Sequence, residues 1–85
     1  MNTDEIIIKT ERVPIDINYR GTRYIGEAIP VPASCRDGIC HDLEIVLNGN
    51  SMGMIHLTLN GWRIEYMENR TFADLIGEEI MLWYK

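Results

Sequence analysis

The stretch 55–66, IHLTLNGWRIEY, constrains the fold more than any other part of the chain. Asn60-Gly61 suits the two central positions of a type I′ turn, because both need positive φ, which Asn tolerates and Gly adopts freely. Folding about that turn sets Leu59 opposite Trp62, Leu57 opposite Ile64 and Ile55 opposite Tyr66. The other face then carries Thr58 opposite Arg63 and His56 opposite Glu65. One face is apolar and one polar, and a one-residue slip would expose all six large apolar side chains, so the register is strongly specified.

The preceding residues extend this pattern into a meander. Over 13–19, Ile15, Ile17 and Tyr19 alternate with Asp16 and Asn18, and Pro14 belongs at a strand's beginning or on an exposed edge because it cannot donate to a ladder. Arg20-Gly21-Thr22-Arg23 turns the chain back. A loop of two residues or of four places Tyr24, Gly26 and Ala28 on the face of Ile15, Ile17 and Tyr19. The opposite face holds Ile25 and Ile29 and is not cleanly polar, which points to cover by another element or a second chain. Gly26 marks a bulge or a bend. Two prolines in Pro30-Val31-Pro32-Ala33-Ser34 exclude a paired strand and indicate a loop or polyproline-like crossing. Leu43, Ile45 and Leu47 then alternate with Asp42 and Glu44, and a three-residue loop at Gly49-Asn50-Ser51 sets Ile45 opposite Ile55 and Leu43 opposite Leu57. At the other end of the chain, β-branched Ile6-Ile7-Ile8 favours an edge strand.

The period changes after Arg70. Thr71-Phe72-Ala73-Asp74 has capping-box spacing, with Thr71 as N-cap and Asp74 at the positive end of the helix dipole. A helix over 72–84 puts Phe72, Ile76, Ile80 and Trp83 on one stripe, widened by Leu75 and Leu82. Gly77 costs that helix about 1 kcal/mol relative to Ala. The tail Ile80-Met81-Leu82-Trp83-Tyr84 has a strand as its alternative.

The expected fold is α+β: a single domain over 1–85, a strongly curled antiparallel β-meander of about five strands, with one C-terminal helix on its apolar face. Five strands at about 4.8 Å spacing make a sheet roughly 20 Å wide, whereas one helix covers only about 10–12 Å. Either the sheet curls into a partly open barrel plugged by the helix, or a second copy covers the remainder as a dimer. Curling is favoured, with dimerisation through the second face or an edge strand as an additional step. A chain of 85 residues buries only about 60–65% of its unfolded surface, which also favours oligomerisation.

Charge narrows the partners. The net charge of −5, with arginines scattered among acids, argues against nucleic acid and anionic membranes. The opening MNTDEIIIK has acids where a signal peptide needs bases, and no apolar run approaches the ~20 residues of a bilayer span, so a cytoplasmic protein is expected. No glycine-rich phosphate loop, nucleophile elbow or other cofactor motif is present, and an enzyme is disfavoured.

Three places carry reactive groups. Cys35 and Cys40 flank Arg36-Asp37-Gly38-Ile39, and a hairpin turn at Asp37-Gly38 would make them a non-hydrogen-bonded pair, close enough for a disulfide. Two ordinary reduced thiols in a loop are nevertheless the favoured reading, because a bridge in a cytoplasm would be labile, with redox sensing as its use. Cys35, Cys40, His41 and His56 form a possible zinc set, although C-x4-C departs from the usual C-x2-C. His56 facing Glu65 reads as a solvated cross-strand ion pair before an acid–base pair, because an open sheet face does not exclude water. Glu79 sits at the margin of the helical stripe or beside an arginine, and structural pairing again outweighs catalysis.

The leading functional expectation is a non-catalytic binding or interaction module with a protein partner or self-association. Its face would be Ile25, Ile29, Val46 and Met54, without cofactor or metal. The alternative is a thiol or metal sensor built on Cys35, Cys40 and His41.

Overall fold

The computed structural model describes residues 11–84; the isoleucines at 6–8, read above as an edge strand, lie outside them. The chain runs β1 (Val13–Tyr19), β2 (Thr22–Pro30), a 3-10 turn (Pro32–Ser34), β3 (Cys35–Arg36), β4 (Ile39–Cys40), β5 (Asp42–Leu47), β6 (Asn50–Thr58), β7 (Gly61–Ile64) and α1 (Arg70–Tyr84). Five strands form one antiparallel sheet in the order β1-β2-β5-β6-β7, and β3-β4 is a separate two-stranded hairpin. The sheet curls into a half-barrel. Helix α1 packs against β1 and β7, the two edge strands, and so lies across the opening that curling leaves.

The alternation of apolar residues sets which side of each strand is inside. Val13, Ile15 and Ile17 of β1, Ala28 of β2, Leu43, Ile45 and Leu47 of β5, Ile55 of β6 and Trp62 and Ile64 of β7 are buried on the concave side. Phe72, Ala73, Ile76 and Ile80 of α1 complete the core. Pairing of β1 with β2 follows the expected facing, with Ile17 opposite Tyr24 and Ile15 opposite Gly26. A Cβ built on Gly26 would stand 1.9 Å from the Val46 carbonyl oxygen, so at this point β2 and β5 approach as only glycine allows.

Three tight turns share one conformation. Arg20-Gly21 (φ 51° and 80°), Asp37-Gly38 (57° and 85°) and Asn48-Gly49 (51° and 82°) each place two left-handed residues between paired strands, the type I′ pattern that matches strand twist. The β5–β6 loop is therefore two residues at Asn48-Gly49, not three at 49–51. Together with a bulge in β6, this loop pairs Leu43 with Ile55 rather than Leu57, and Ile45 with Gly53. Between Ile45 and Val46 the register shifts, leaving Met52 as the extra residue of a β-bulge.

The β6–β7 turn differs from its expected form. Thr58 pairs with Gly61, so Leu59 and Asn60 are the central residues, and only Gly61 (φ 101°) has positive φ. The Thr58 hydroxyl organises this turn: it accepts the Asn60 N–H at 3.1 Å and donates to the Gly61 carbonyl at 2.7 Å. A type I turn followed by a left-handed glycine bulge results. The register moves by two residues, giving Ile55 opposite Ile64 and Leu57 opposite Trp62. Two is an even shift, so the inward parity survives, while Leu59 and Tyr66, expected in the apolar face, project fully into solvent.

Helix α1 begins at Arg70, with Asn69 as its cap in place of Thr71: Asn69 Oδ1 accepts the Phe72 N–H at 3.1 Å. Ile80-Met81-Leu82-Trp83-Tyr84 is helical. Phe72, Ile76 and Ile80 face inward as expected, but Leu82 is 61% exposed and Trp83 38%. The buried face instead includes Ala73 and Gly77. A Cβ at Gly77 would fall 2.2 Å from Trp62 Cδ1, so the missing side chain is where the indole ring lies. Large stripe residues and a small residue exchanged roles because Trp62 needs the volume.

Candidate interaction sites

The convex face of the sheet is organised by charge. Arg23 and Asp16 form a two-point pair at 3.0 and 2.8 Å across β1 and β2, and this hydrogen bonding holds the Asp16 carboxyl below its ordinary range. Arg12 meets Glu27 at 2.6 Å, and the Ser51 hydroxyl donates to Glu44 at 3.1 Å. Ile25, Ile29, Val46 and Met54 lie on this face. Ile25 is 49% exposed and the other three are half-buried. Register explains why they form no continuous patch: Glu27 stands opposite Val46, and Glu44 lies between Ile29 and Met54.

His56 joins three segments of this face. Its Nδ1 lies 2.7 Å from Asp42 Oδ1 and its Nε2 2.9 Å from Glu65 Oε2. Both ring nitrogens can donate only in the imidazolium form. The hydrogen bond to Asp42 accordingly raises the His56 pKa; partial burial opposes it and Glu65 reinforces it. An imidazolium held between two carboxylates is a cross-strand fastener, poorly suited to accept a proton. The sequence pattern identified Glu65 but missed Asp42, which faces His56 directly because the β5–β6 loop has two residues and the bulge at Met52 then shifts the register by one. The residue opposite His56 in β7 is Arg63, with Glu65 diagonal to it.

The separate β3-β4 hairpin is closed covalently. Cys35 and Cys40 are cross-strand partners about the Asp37-Gly38 turn and form a disulfide, with Cα atoms 3.7 Å apart. Buried Ser34 attaches the 3-10 turn to β5: its hydroxyl lies 2.7 Å from the Val31 carbonyl and accepts the Asp42 N–H at 3.0 Å. Tyr84, at the end of α1, reaches the Cys40 backbone, and its burial pushes the phenol pKa up. The four residues considered for zinc do not converge, since both sulfurs are bonded to each other and His56 is held by carboxylates. His41 remains apart, with Nε2 buried and without a hydrogen-bond partner. Among the described residues, no group of three or more His, Cys, Asp or Glu side chains is placed to hold a metal ion. No helix among them is long and apolar enough to cross a membrane.

The outer flank of α1 presents a surface that sequence periodicity assigned to the core. A groove of about 460 Å³ runs along it, floored by Trp62 and Gly77, walled by Met81 and Leu82 and rimmed by Asp74 and Glu78. Met81 and Leu82, which line it, and the next residue Trp83 are all exposed. The signal available in sequence was Gly77 itself, a costly residue for a helix interior whose presence implies a close neighbour. Compared with protein-family models, with curated proteins and with solved structures, the chain matches none.

Proposed function

We propose that this chain is a non-catalytic interaction module that docks a protein partner across the outer flank of α1. One observation carries the reading: Met81 and Leu82 stand exposed at a groove lined by Trp62. Aromatic and methionine side chains at a depression are the composition of interface anchor sites. The Asp74 and Glu78 rim favours a partner that presents an apolar anchor flanked by basic residues. A second copy docking groove to groove would bring the two acidic rims together, so self-association is the less favourable use of this flank. The convex residues Ile25, Ile29, Val46 and Met54 form a weaker surface, interrupted by Glu27 and Glu44. Proximity labelling in the native cell compares wild type with a Met81→Asp/Leu82→Asp variant. Loss of specific neighbours in the variant is expected, and identical neighbour sets would sink the proposal.

A second reading, thiol redox sensing, is favoured by the formed Cys35–Cys40 bridge. Closing so short a loop stabilises the fold by only about 2 kcal/mol in the loop-entropy description, so the reduced chain would stay folded and the bond could serve as a signal. Alkylation and mass spectrometry on protein taken from its native cell decide this reading: two thiols that never oxidise would remove it.

A further inference from the structure

An open mouth lies where β1, β2, β6 and α1 meet. Tyr19 of β1 and Tyr24 of β2 stand as two walls, each edge-on to Phe72 of α1, with centroid separations of 5.3 and 5.2 Å. Met52 and Met67 supply further sides, and Asn69 fixes one wall by donating from Nδ2 to the Tyr19 hydroxyl while its Oδ1 caps α1. Together they line an open depression of about 220 Å³. Pockets for drug-sized ligands run to roughly 300–1,000 Å³, so this one suits a compact head group.

Two backbone irregularities converge on this cavity. Met52 is the extra residue of the β6 bulge, and bulges redirect a side chain that regular pairing would place elsewhere. Tyr66 adopts a left-handed φ of 62°, unfavourable for a bulky residue, immediately before Met67. The chain departs from regular geometry at both thioethers that line the mouth.

The lining has the electrostatics of a cation site. Three aromatic rings and two thioethers line it, no cationic side chain is among the lining residues, and the chain carries a net charge of −5. The Arg20 guanidinium carbon, which is not part of the lining, lies 5.3 Å from the Tyr19 centroid, so this ring accepts a cation, and Tyr24 is the lining tyrosine without such a contact among the described residues. We propose that the mouth formed by Tyr19, Tyr24, Phe72, Met52 and Met67 binds a quaternary or N-methylated ammonium group. This site is separate from the α1 flank and does not depend on a partner docking there.

Titration of the full chain with choline, followed by NMR, tests the proposal against the neutral isostere 3,3-dimethylbutan-1-ol. Choline is expected to bind at least tenfold more tightly, with the largest shifts at the Met52 and Met67 methyls and the rings of Tyr19, Tyr24 and Phe72. Equal affinity for the neutral isostere would overturn the proposal, because the cavity would then be merely apolar. A trimethyl-lysine peptide and its unmodified counterpart form a second arm, which separates a protein side chain from a free metabolite as the source of the head group. If neither choline nor the methylated peptide binds, the site does not exist. Tyr24→Leu keeps the apolar bulk and removes a ring, so a tenfold weakening is expected. Met67→Ala is the companion variant should Tyr24→Leu fail to fold, with weakening again expected. Unchanged affinity in the folded variant contradicts the cage.

Discussion

The concave and convex faces of the same sheet are held by different physics. On the concave side the constraint is volume: Gly26 lets β2 approach β5, Gly77 lets the Trp62 indole lie on α1, and the neighbouring side chains are buried. On the convex side the constraint is charge, with Asp16–Arg23, Arg12–Glu27 and Asp42–His56–Glu65 spanning adjacent strands. Packing errors cannot be screened by solvent, whereas exposed ion pairs are weakened by water and salt. Substitutions should therefore separate the two faces by the size of their effect and by its sensitivity to pH.

The largest effect is expected at Gly26. A methyl group there meets the Val46 backbone, which cannot rotate aside, so Gly26→Ala should cost about 3 kcal/mol or more by forcing β2 and β5 apart. Chemical denaturation reads this directly, and a loss below 1 kcal/mol would break the contrast between faces. Gly77→Ala comes next and tests the sign. Helix propensity alone predicts a gain of about 1 kcal/mol, whereas the clash with Trp62 predicts a loss of about 1–3 kcal/mol. A melting temperature that rises would show the indole free to move.

His56 is the strongest test of the convex face. Its folded-state pKa is raised above the ordinary 6.5, so its contribution is fully present below pH 6.5 and is lost as pH rises through the higher folded value. Pairs of this exposure contribute about 0.2–1 kcal/mol, so stability should decline by that order across the window. In His56→Gln this pH dependence should be absent, and NMR titration of the His56 ring should give a pKa above 6.5. The smallest effect belongs to Asp16–Arg23, exposed despite its two-point geometry. The double substitution Asp16→Asn/Arg23→Gln should leave the melting temperature unchanged at physiological salt, and a clear drop would mean that the convex face carries more of the fold than its exposure implies.

Two Asn-Gly pairs show how far local sequence could be read. Asn48-Gly49 forms the type I′ turn that its chemistry favours, and Asn60-Gly61 does not. The difference lies in the neighbours. Thr58, two residues before the second pair, uses its hydroxyl to stabilise a turn centred one residue earlier, whereas the corresponding residue before the first pair, Val46, has no hydroxyl. Both register errors were shifts of two residues, which preserve facing, so the concave core survived them almost intact. The sites suffered more. His56 gained Asp42, Leu59 and Tyr66 left the core, and the cage residues Met52 and Met67 were invisible because a bulge and a left-handed tyrosine deliver them.

Alternation of apolar residues by itself determined the antiparallel meander, the inward side of each strand and a helix closing the sheet. These follow from periods of 2 and 3.6 and from turn chemistry, which act within a few residues. Tertiary structure alone decided which helix residues are core, because Trp62 claims the space at Gly77 and the sheet's curl turns Leu82 and Trp83 outward. It also decided the partners of His56 and the contents of the open mouth. Those depend on where non-adjacent strands and the helix meet, and a two-residue shift in strand register is enough to change which side chains face one another.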